Sequence, residues 1–493
     1  MLNREPWLVP QDAFTDMINC YLEYGVLKKR RGYTKKDDTG QSNPIVGIMK
    51  HVKSDGGHQL MVADTKRLYS YASGALTDED ASNVWTGGAD NFLSWENWKG
   101  KLWMVNDKDR LRTWDGTSTA QPTIDISGGG SNELNTAAFV FVVKRRMILL
   151  KPTESSTVCP QRARWCTVDD PTDWTNDEYA DCPTGEWIRS ACYLGEDVAV
   201  FFDRSIWLLK YTGDSTLPFR WEKVPTLEGA VAAASAKSLG QESIALSRGG
   251  LVISDGFGAK RLDAKVPDLT LTMNQGQIDK CFAEVSESLR QYWLLFPYSS
   301  AESPDRALVF NYNDGNWSQF KINLTCLGLF EEDSTLLWSD FTGISWEDYA
   351  ESWAENAPVA GYPALFGGDA TGNLYMLDDG GDDNGSDIEF EVKTGRWNPY
   401  AKQGKKARLQ WIDFLVTSSA NNEMRVDLYR DFESDPWGGY DLDFSGDGEK
   451  VWKRVYVGVT ADFHRIRLSH TESDQRLEIH AIMPWFAPVG RTL

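Results

Sequence analysis

Between Lys101 and Asn106 the chain alternates strictly, with Leu102 and Met104 on one face and Trp103 and Val105 on the other. A period of two residues is the pattern of a half-buried strand. Asn106, Asp107 and Asp109 follow, short polar side chains that hydrogen-bond their own backbone and so start turns. Arg110–Trp114 returns, Leu111 and Thr113 opposite Arg112 and Trp114, and Asp115-Gly116 closes the unit with a glycine free to take positive φ. Trp98–Gly116 therefore predicts a β-hairpin.

Looser copies of the unit recur from about residue 45 to residue 380. They occupy Gln59–Tyr71, Arg146–Lys151 with a late return at Arg162–Val168, Asp197–Tyr211, Glu242–Leu262, Gln291–Phe320, a weaker Leu336–Trp346, and Ala364–Leu377. Their spacing fits a four-stranded propeller blade of about 40–50 residues. Such a sheet cannot bury both faces alone, and radial stacking solves that problem while leaving only short edges. The expected architecture is all-β: a β-propeller-like body of six to eight blades over residues 45–387, then a C-terminal β-sandwich over 388–493. Several unrelated sandwiches are the alternative.

The sandwich rests on cleanly alternating segments at Arg408–Thr417, Glu423–Arg430, Val451–Val459, His464–Ser469 and Arg476–Ile482. Between them Asp435–Gly448 reads as a long aromatic loop and a contact candidate. Residues 1–44 read as an extended or helical segment docking on or closing the propeller. In it Gln11–Glu23 places Phe14, Met17, Ile18 and Tyr21 at helical spacing, and Lys28–Arg31 forms a basic cluster. That cluster is either a solvated strand end or an inter-subunit or nucleic-acid contact. Gly128–Asn132 reads as a linker, and Thr226–Lys237, rich in small residues, packs closely or lines a passage. The acidic Asp378–Asp387 is a solvated loop tip or a calcium loop, although it lacks the EF-hand register.

Composition narrows the function classes. The 493 residues include 21 Trp, 18 Tyr and 21 Phe, which favours pleated sheets. A net charge of −21 is a poor match for gripping phosphate and suits solubility through self-repulsion. Seven cysteines, an odd number with no CxxC, predict buried free thiols; the clustered Cys159, Cys166, Cys182 and Cys192 match no zinc framework. The N-terminus has no apolar signal region, and the longest apolar run, Ala137–Val143, is too short to span a bilayer. No membrane insertion is expected, and synthesis in cytoplasm is.

Candidate chemistry is sparse. No GxSxG, HExxH or Walker A motif occurs. Asp314-Gly315-Asn316-Trp317 resembles one Asp-box turn without its leading residues. With 72 acidic residues, carboxylate pairs of the kind glycosidases need arise by chance. The five histidines, His51, His58, His464, His470 and His480, are scattered, and each reads as a satisfied surface residue. The expectation is a non-enzyme with no catalytic, cofactor-binding or metal residues.

Met17-Ile18-Asn19 followed by Gly25–Tyr33 resembles the opening of tail nozzle (tail hub) proteins of short-tailed bacteriophages. Further phrases are similar in order: Arg164-Trp165 with Asp170-Pro171 and Trp174, Arg204–Trp207, Tyr292-Trp293-Leu294, Asp314–Ser318, Ser254-Asp255-Gly256, and Gly367 through Tyr375. Arg31 stands where that family usually has proline. The resemblance implies a virion protein in a ring-shaped homohexamer below the portal and adaptor (head-to-tail connector) rings, contacting tail fibres or spikes. Double-stranded DNA would pass through its lumen without specific binding, so an acidic lumen is expected, because each Lys or Arg contact to phosphate adds friction. A propeller binding module for a protein or glycan is the alternative, and a propeller hydrolase a further one.

Overall fold

The computed structural model describes residues 5–490 except 6–8, 11–12, 80–84, 123, 127–132, 175–177, 267–268, 332–362, 421 and 473–474. The Gly128–Asn132 linker and the Leu336–Trp346 hairpin expected from sequence fall outside the described residues.

Seven four-stranded blades form the body. Their innermost strands are Ile45–Val52, Ser94–Trp98, Phe139–Val143, Ile188–Leu194, Lys237–Ser238, Phe282–Ser286 and Cys326–Phe330, defining blades 1 to 7. The alternation that predicts each strand also explains the packing. One face of a strand packs toward the preceding blade and the other toward the next. In blade 2, Leu102, Met104 and Trp114 join the core shared with blade 1, while Trp103, Val105 and Leu111 join the core shared with blade 3. Trp98–Gly116 is not a free-standing hairpin: it contributes the second and third strands of blade 2, with Leu102 opposite Trp114 and Met104 opposite Arg112. Its turns follow the expected chemistry. The Asn106 side-chain oxygen accepts from the amides of Lys108 and Asp109, and the Asp115 carboxylate accepts from those of Thr117 and Ser118. Those amide donors, Ser118 foremost, hold Asp115 down at about 2.

The ring closes with strands from both ends of the propeller. The outer strand of blade 7 is Tyr33–Asp38, antiparallel to Asn373–Leu377. Its inner strand packs on blade 1 so closely that a Cβ at Gly328 would lie 2.6 Å from Ile48 Cβ. Thr325 Oγ1 donates across the same seam to Ile45 O at 2.7 Å.

The N-terminal segment departs from expectation. Of the helix expected over Gln11–Glu23, the described part is extended: Phe14–Ile18 and Cys20–Glu23 are strands. Asn19 between them takes φ 54°, a left-handed kink that ends one strand and turns the next into the other sheet. Apolar residues three and four apart fit that broken strand as well as they fit a helix. Phe14–Ile18 joins the outer strand of blade 6 to Phe390–Thr394, so blade 6 and one sandwich sheet form a single nine-stranded sheet. The second sandwich sheet runs Cys20–Glu23, Val26–Lys29, Glu478–Val489, Lys406–Thr417, Lys450–Ala461. The Asp435–Gly448 loop is also corrected: Gly438–Asp443 is a strand, and Leu442 and Phe444 are buried in the sandwich core. Leu442 and Phe444 are core side chains on and after an edge strand, Trp437 packs against that core, and Tyr440 stays exposed.

One polar knot ties these parts together. Asn19 Nδ2 donates to Glu389 O at 2.8 Å, while its Oδ1 accepts from Lys321 N at 2.8 Å and Arg30 Nε at 3.1 Å. Arg30, 4% exposed at its side chain, forms a fork with Asp383 at 2.5 and 2.7 Å and donates to Lys321 O. Gly32 lies against the same acidic loop, where a Cβ would fall 1.6 Å from Asp382 O. Lys28–Arg31 is therefore not simply a solvated strand end, since Lys29 and Arg30 are buried. Lys28 pairs with Glu23, Arg30 with Asp383 and Arg31 with Asp378, and Lys29 is buried.

Breaking a buried pair strands the remaining charge, which costs about 3–5 kcal/mol, whereas an exposed pair is worth about 0–1 kcal/mol. Arg30→Ala should therefore lower unfolding stability in urea by about 3–5 kcal/mol. Lys35→Ala, which removes the exposed Lys35–Asp38 pair, should leave it within about 1 kcal/mol of wild type.

Candidate functional site

Three places concentrate side chains capable of function: the propeller axis, the acidic loop with its basic neighbours, and the outer face of the sandwich.

At the axis the inner strands leave a cavity of about 160 Å³ lined by Gly47, Ser94, Phe139, Ala191, Ala236 and Phe282 among others. The small residues of Thr226–Lys237 supply Ala233, Ala234 and Ala236 to the wall of this cavity. A water occupies about 30 Å³ in the liquid, so the cavity has room for a few waters and not for a polymer. Most of its charges are matched in pairs, Lys237 with Glu284 at 2.8 Å and Lys151 with Asp107 at 2.6 Å, while Asp90 in the lining is exposed and outside any ion pair among the described residues. Arg189 at the same wall pairs with Asp203 at 2.6 Å. Deeper between blades 2 and 4, Tyr193 Oη donates to Glu96 at 2.6 Å, and burial pushes the Glu96 carboxyl above its ordinary range.

The carboxylates of Asp378–Asp387 do not converge on one centre. Asp383 faces Arg30, Asp378 faces Arg31, and Asp382 accepts from its own loop at Gly385 N. Among the described residues no group of three or more His, Cys, Asp or Glu is placed to hold a metal. Asp314 serves structure: its carboxylate accepts from Tyr24 N, and Gly315 takes φ 67° in the turn.

The histidines differ from the surface residues expected. His464 and His470 are 1% and 2% exposed. Two strand residues six apart both face the sandwich core, since alternation puts them on one side. His464 Nε2 bonds Ala407 O, and His470 bonds Asn422 Oδ1 at 2.6 Å through Nε2 and Lys29 Nζ at 3.2 Å through Nδ1. All seven cysteines are free thiols, six of them buried. No helix among the described residues is long and apolar enough to cross a membrane.

The sandwich face was missed by the strand reading. Across Glu478–Val489, Lys406–Thr417 and Lys450–Ala461, the outward rows are Trp485–Trp411–Tyr456, Met483–Asp413–Arg454 and Ala481–Leu415–Trp452. Tyr456 is 67% exposed, Trp452 55%, Trp485 48% and Met483 44%. Arg454 bridges both oxygens of Asp413 at 2.6 and 3.0 Å, and Trp485 Nε1 donates to the same carboxylate at 2.9 Å. The guanidinium also lies 5.0 Å from the Trp411 ring centre, within cation–π range. Arg454 first, and Trp485 after it, hold Asp413 below the usual carboxylate range. On this face Arg408, Lys450 and Arg454 stand against Asp413 and Glu478, and Lys406 at the strand end pairs with Asp462 at 3.5 Å, so the face carries a small excess of cations on a chain of net charge −21. A sequence signal existed: the solvent-side positions of these strands hold Trp and Tyr where Lys, Glu or Thr normally stand.

No family model matches the chain, and no curated protein matches it. Solved structures do. YCF48 bound to a D1 peptide aligns at 10% identity over 69% of this chain and 93% of its own, with a TM-score of 0.40. The Pan2 WD40 domain of Neurospora crassa aligns at 7% identity over 70% and 95%, with a TM-score of 0.34. An exo-β-1,3-galactanase from Phanerochaete chrysosporium aligns at 11% identity over 83% and 98%, with a TM-score of 0.30. Likeness at this level carries no argument about activity, and the propeller assignment rests on the seven blades themselves.

Burial pulls His470 down to about 3 from an unfolded value near 6.5, with Lys29 adding to the effect. The unfolded chain then binds the extra proton between those values, so this stability is complete above about pH 6.5 and is lost as pH falls toward 3. Thermal melts from pH 7 to pH 4 should show a falling midpoint for wild type and a shallower fall for His470→Gln.

Proposed function

We propose that this chain is a non-enzymatic scaffold and binding module, a rigid propeller fused to a sandwich that docks an acidic protein partner on its aromatic, basic face. The observation that carries the reading is the exposed set Trp411, Trp452, Tyr456, Met483 and Trp485 around the Asp413–Arg454 pair. Trp, Tyr, Met and Arg are the residues enriched at protein interfaces and their hot spots. Against this face, Asp107, Glu284 and Glu96 at the propeller axis are held by Lys or Tyr, which speaks for structure over hydrolysis.

The more specific form of this reading is the nozzle of a short phage tail, a virion protein in a homohexameric ring that meets portal, adaptor and fibre proteins. The phrases that carry the resemblance support it by their positions. Met17–Asn19 and Gly25–Tyr33 build the knot at Arg30, and Ser254–Gly256, Asp314–Ser318 and Gly367–Tyr375 fall on blade turns and their flanking strands. The axial cavity is far too small for a duplex, so a DNA passage would have to lie between copies, lined by their acidic surfaces.

For the docking face, the expected result is that Trp452→Ala and Tyr456→Ala each weaken a co-purifying acidic protein by about tenfold or more, the weight of a hot-spot ring, with binding further reduced by salt. Unchanged binding in both variants overturns it, as does retention on glycans alone. For the nozzle, sedimentation and electron microscopy with portal and adaptor rings should show a ring of copies. A chain that stays monomeric beside them and never enters particles rules it out.

A further inference from the structure

The five-stranded sandwich sheet ends in Lys450–Ala461, which pairs with Lys406–Thr417 on one side and, among the described residues, with no strand on the other. An open strand edge offers a row of amides for pairing, and proteins keep such edges short or covered. The rest of this molecule does so. The outermost strands of blades 1, 2, 3, 4, 5 and 7, and Gly438–Asp443 at the end of the nine-stranded sheet, have two to six residues. Lys450–Ala461 has 12 and contains no proline.

Its register shows which groups are open. Ser418 N donates to Glu449 O at 2.9 Å, so these two residues form a bonded pair across the strands. From there Thr417 faces Lys450, Leu415 faces Trp452, Asp413 faces Arg454 and Trp411 faces Tyr456. In an antiparallel pair the backbone groups of successive residues point to opposite sides of the strand. The amides of Lys450, Trp452, Arg454 and Tyr456 therefore point away from Lys406–Thr417, toward the open edge. Beyond Tyr456 the register breaks: Val457 and Gly458 together oppose Gln410, and Gly458 takes φ 69°. Such a bulge turns an edge away from pairing, so the usable edge runs from Lys450 to Tyr456.

The residues with open amides also carry the exposed side chains, Trp452 and Tyr456 with Arg454 between them. A strand laid along this edge would set its own outer-face residues directly beside them, at about 5 Å between Cβ atoms. Lys450–Ala461 holds three cations, Lys450, Lys453 and Arg454, and no acid. Lys453 lies on the inward row, and an inward charge on an edge strand disfavours a purely apolar partner strand. Arg454 spends Nε and Nη2 on Asp413, and a guanidinium has five N–H donors, so a second carboxylate can share it from the edge side. The complementary strand has an acid opposite Arg454 and apolar residues two positions away on either side, opposite Trp452 and Tyr456.

We infer that the partner of the docking face binds as an extended acidic strand of this pattern, adding to the open edge of Lys450–Tyr456 through main-chain hydrogen bonds. This rests on the docking reading above and adds to it the binding mode and the partner's side-chain pattern.

A capped peptide alternating threonine with valine, glutamate and valine tests the edge, titrated against the full chain and followed by amide hydrogen exchange. Binding should slow exchange at Trp452, Arg454 and Tyr456 in the wild type, and lysine in place of the glutamate should weaken it by about tenfold or more. Two variants separate edge from face. Trp452→Ala removes the ring. Trp452→Pro removes the ring and the outward N–H, a change tolerated on an edge strand whose N–H faces solvent. With melting showing both folded, Trp452→Pro should bind about fivefold more weakly than Trp452→Ala, the loss of one hydrogen bond. Equal binding by the two variants without amide protection overturns strand addition and leaves the docking face standing. No binding of the peptide, with the acidic protein still lost in Trp452→Ala, does the same. Neither ligand weakened by Trp452→Ala overturns both readings. Self-association of the chain that Trp452→Pro abolishes makes a second copy the occupant and overturns the acidic partner.

Discussion

The buried fork between Arg30 and Asp383, braced by Asn19, is the constraint on which the architecture depends. Arg30 sits where the N-terminal strands leave the sandwich and enter blade 7. Through Asn19, Lys321, Glu389 and Asp383 it reaches the kink, the end of blade 6, the link into the C-terminal sheet, and the acidic loop. A guanidinium taken out of water is tolerable only when its donors are satisfied, and here a carboxylate fork and the oxygens of Asn19, Arg31 and Lys321 do so. The geometry in turn fixes where the sandwich stands on the ring.

That knot makes the chain one body. Propeller cores form between neighbouring blades, so each blade stabilises the next and the seam at Gly328 and Thr325 completes the circuit. The sandwich does not hang from the ring by a linker: Phe14–Ile18 continues the hydrogen-bonded ladder of blade 6 into it. A scaffold of this kind holds surface groups at fixed separations, which suits recognition on flat faces. The small axial cavity, with most of its charges already paired, offers far less.

At the open edge of the sandwich sheet, Lys450–Ala461 exposes rings and a guanidinium group on a rigid strand. It is a basic feature of an acidic chain, so long-range repulsion between like chains and local attraction for acidic groups act together.

Periodicity alone determined that the protein is all-β, where most strands lie, and that blades repeat, because alternation and turn residues such as Asn106 and Asp115 act locally. It left the blade count open at six to eight. Tertiary structure decided what local pattern cannot encode. Apolar spacing at Phe14, Met17, Ile18 and Tyr21 fits a helix as well as two strands around a kink, and only the free edges of blade 6 and the sandwich select strands. Lys28–Arg31 reads as a solvated charge run until Asp383, more than 350 residues away, is brought against it. Trp411, Trp452 and Tyr456 were visible as strand residues while Trp485 lay past the expected strand end at Ile482, and whether a ring faces core or solvent depends on which face meets the other sheet. A chain's local sequence sets the period of its side chains, and only the packed partner decides which face of that period is buried.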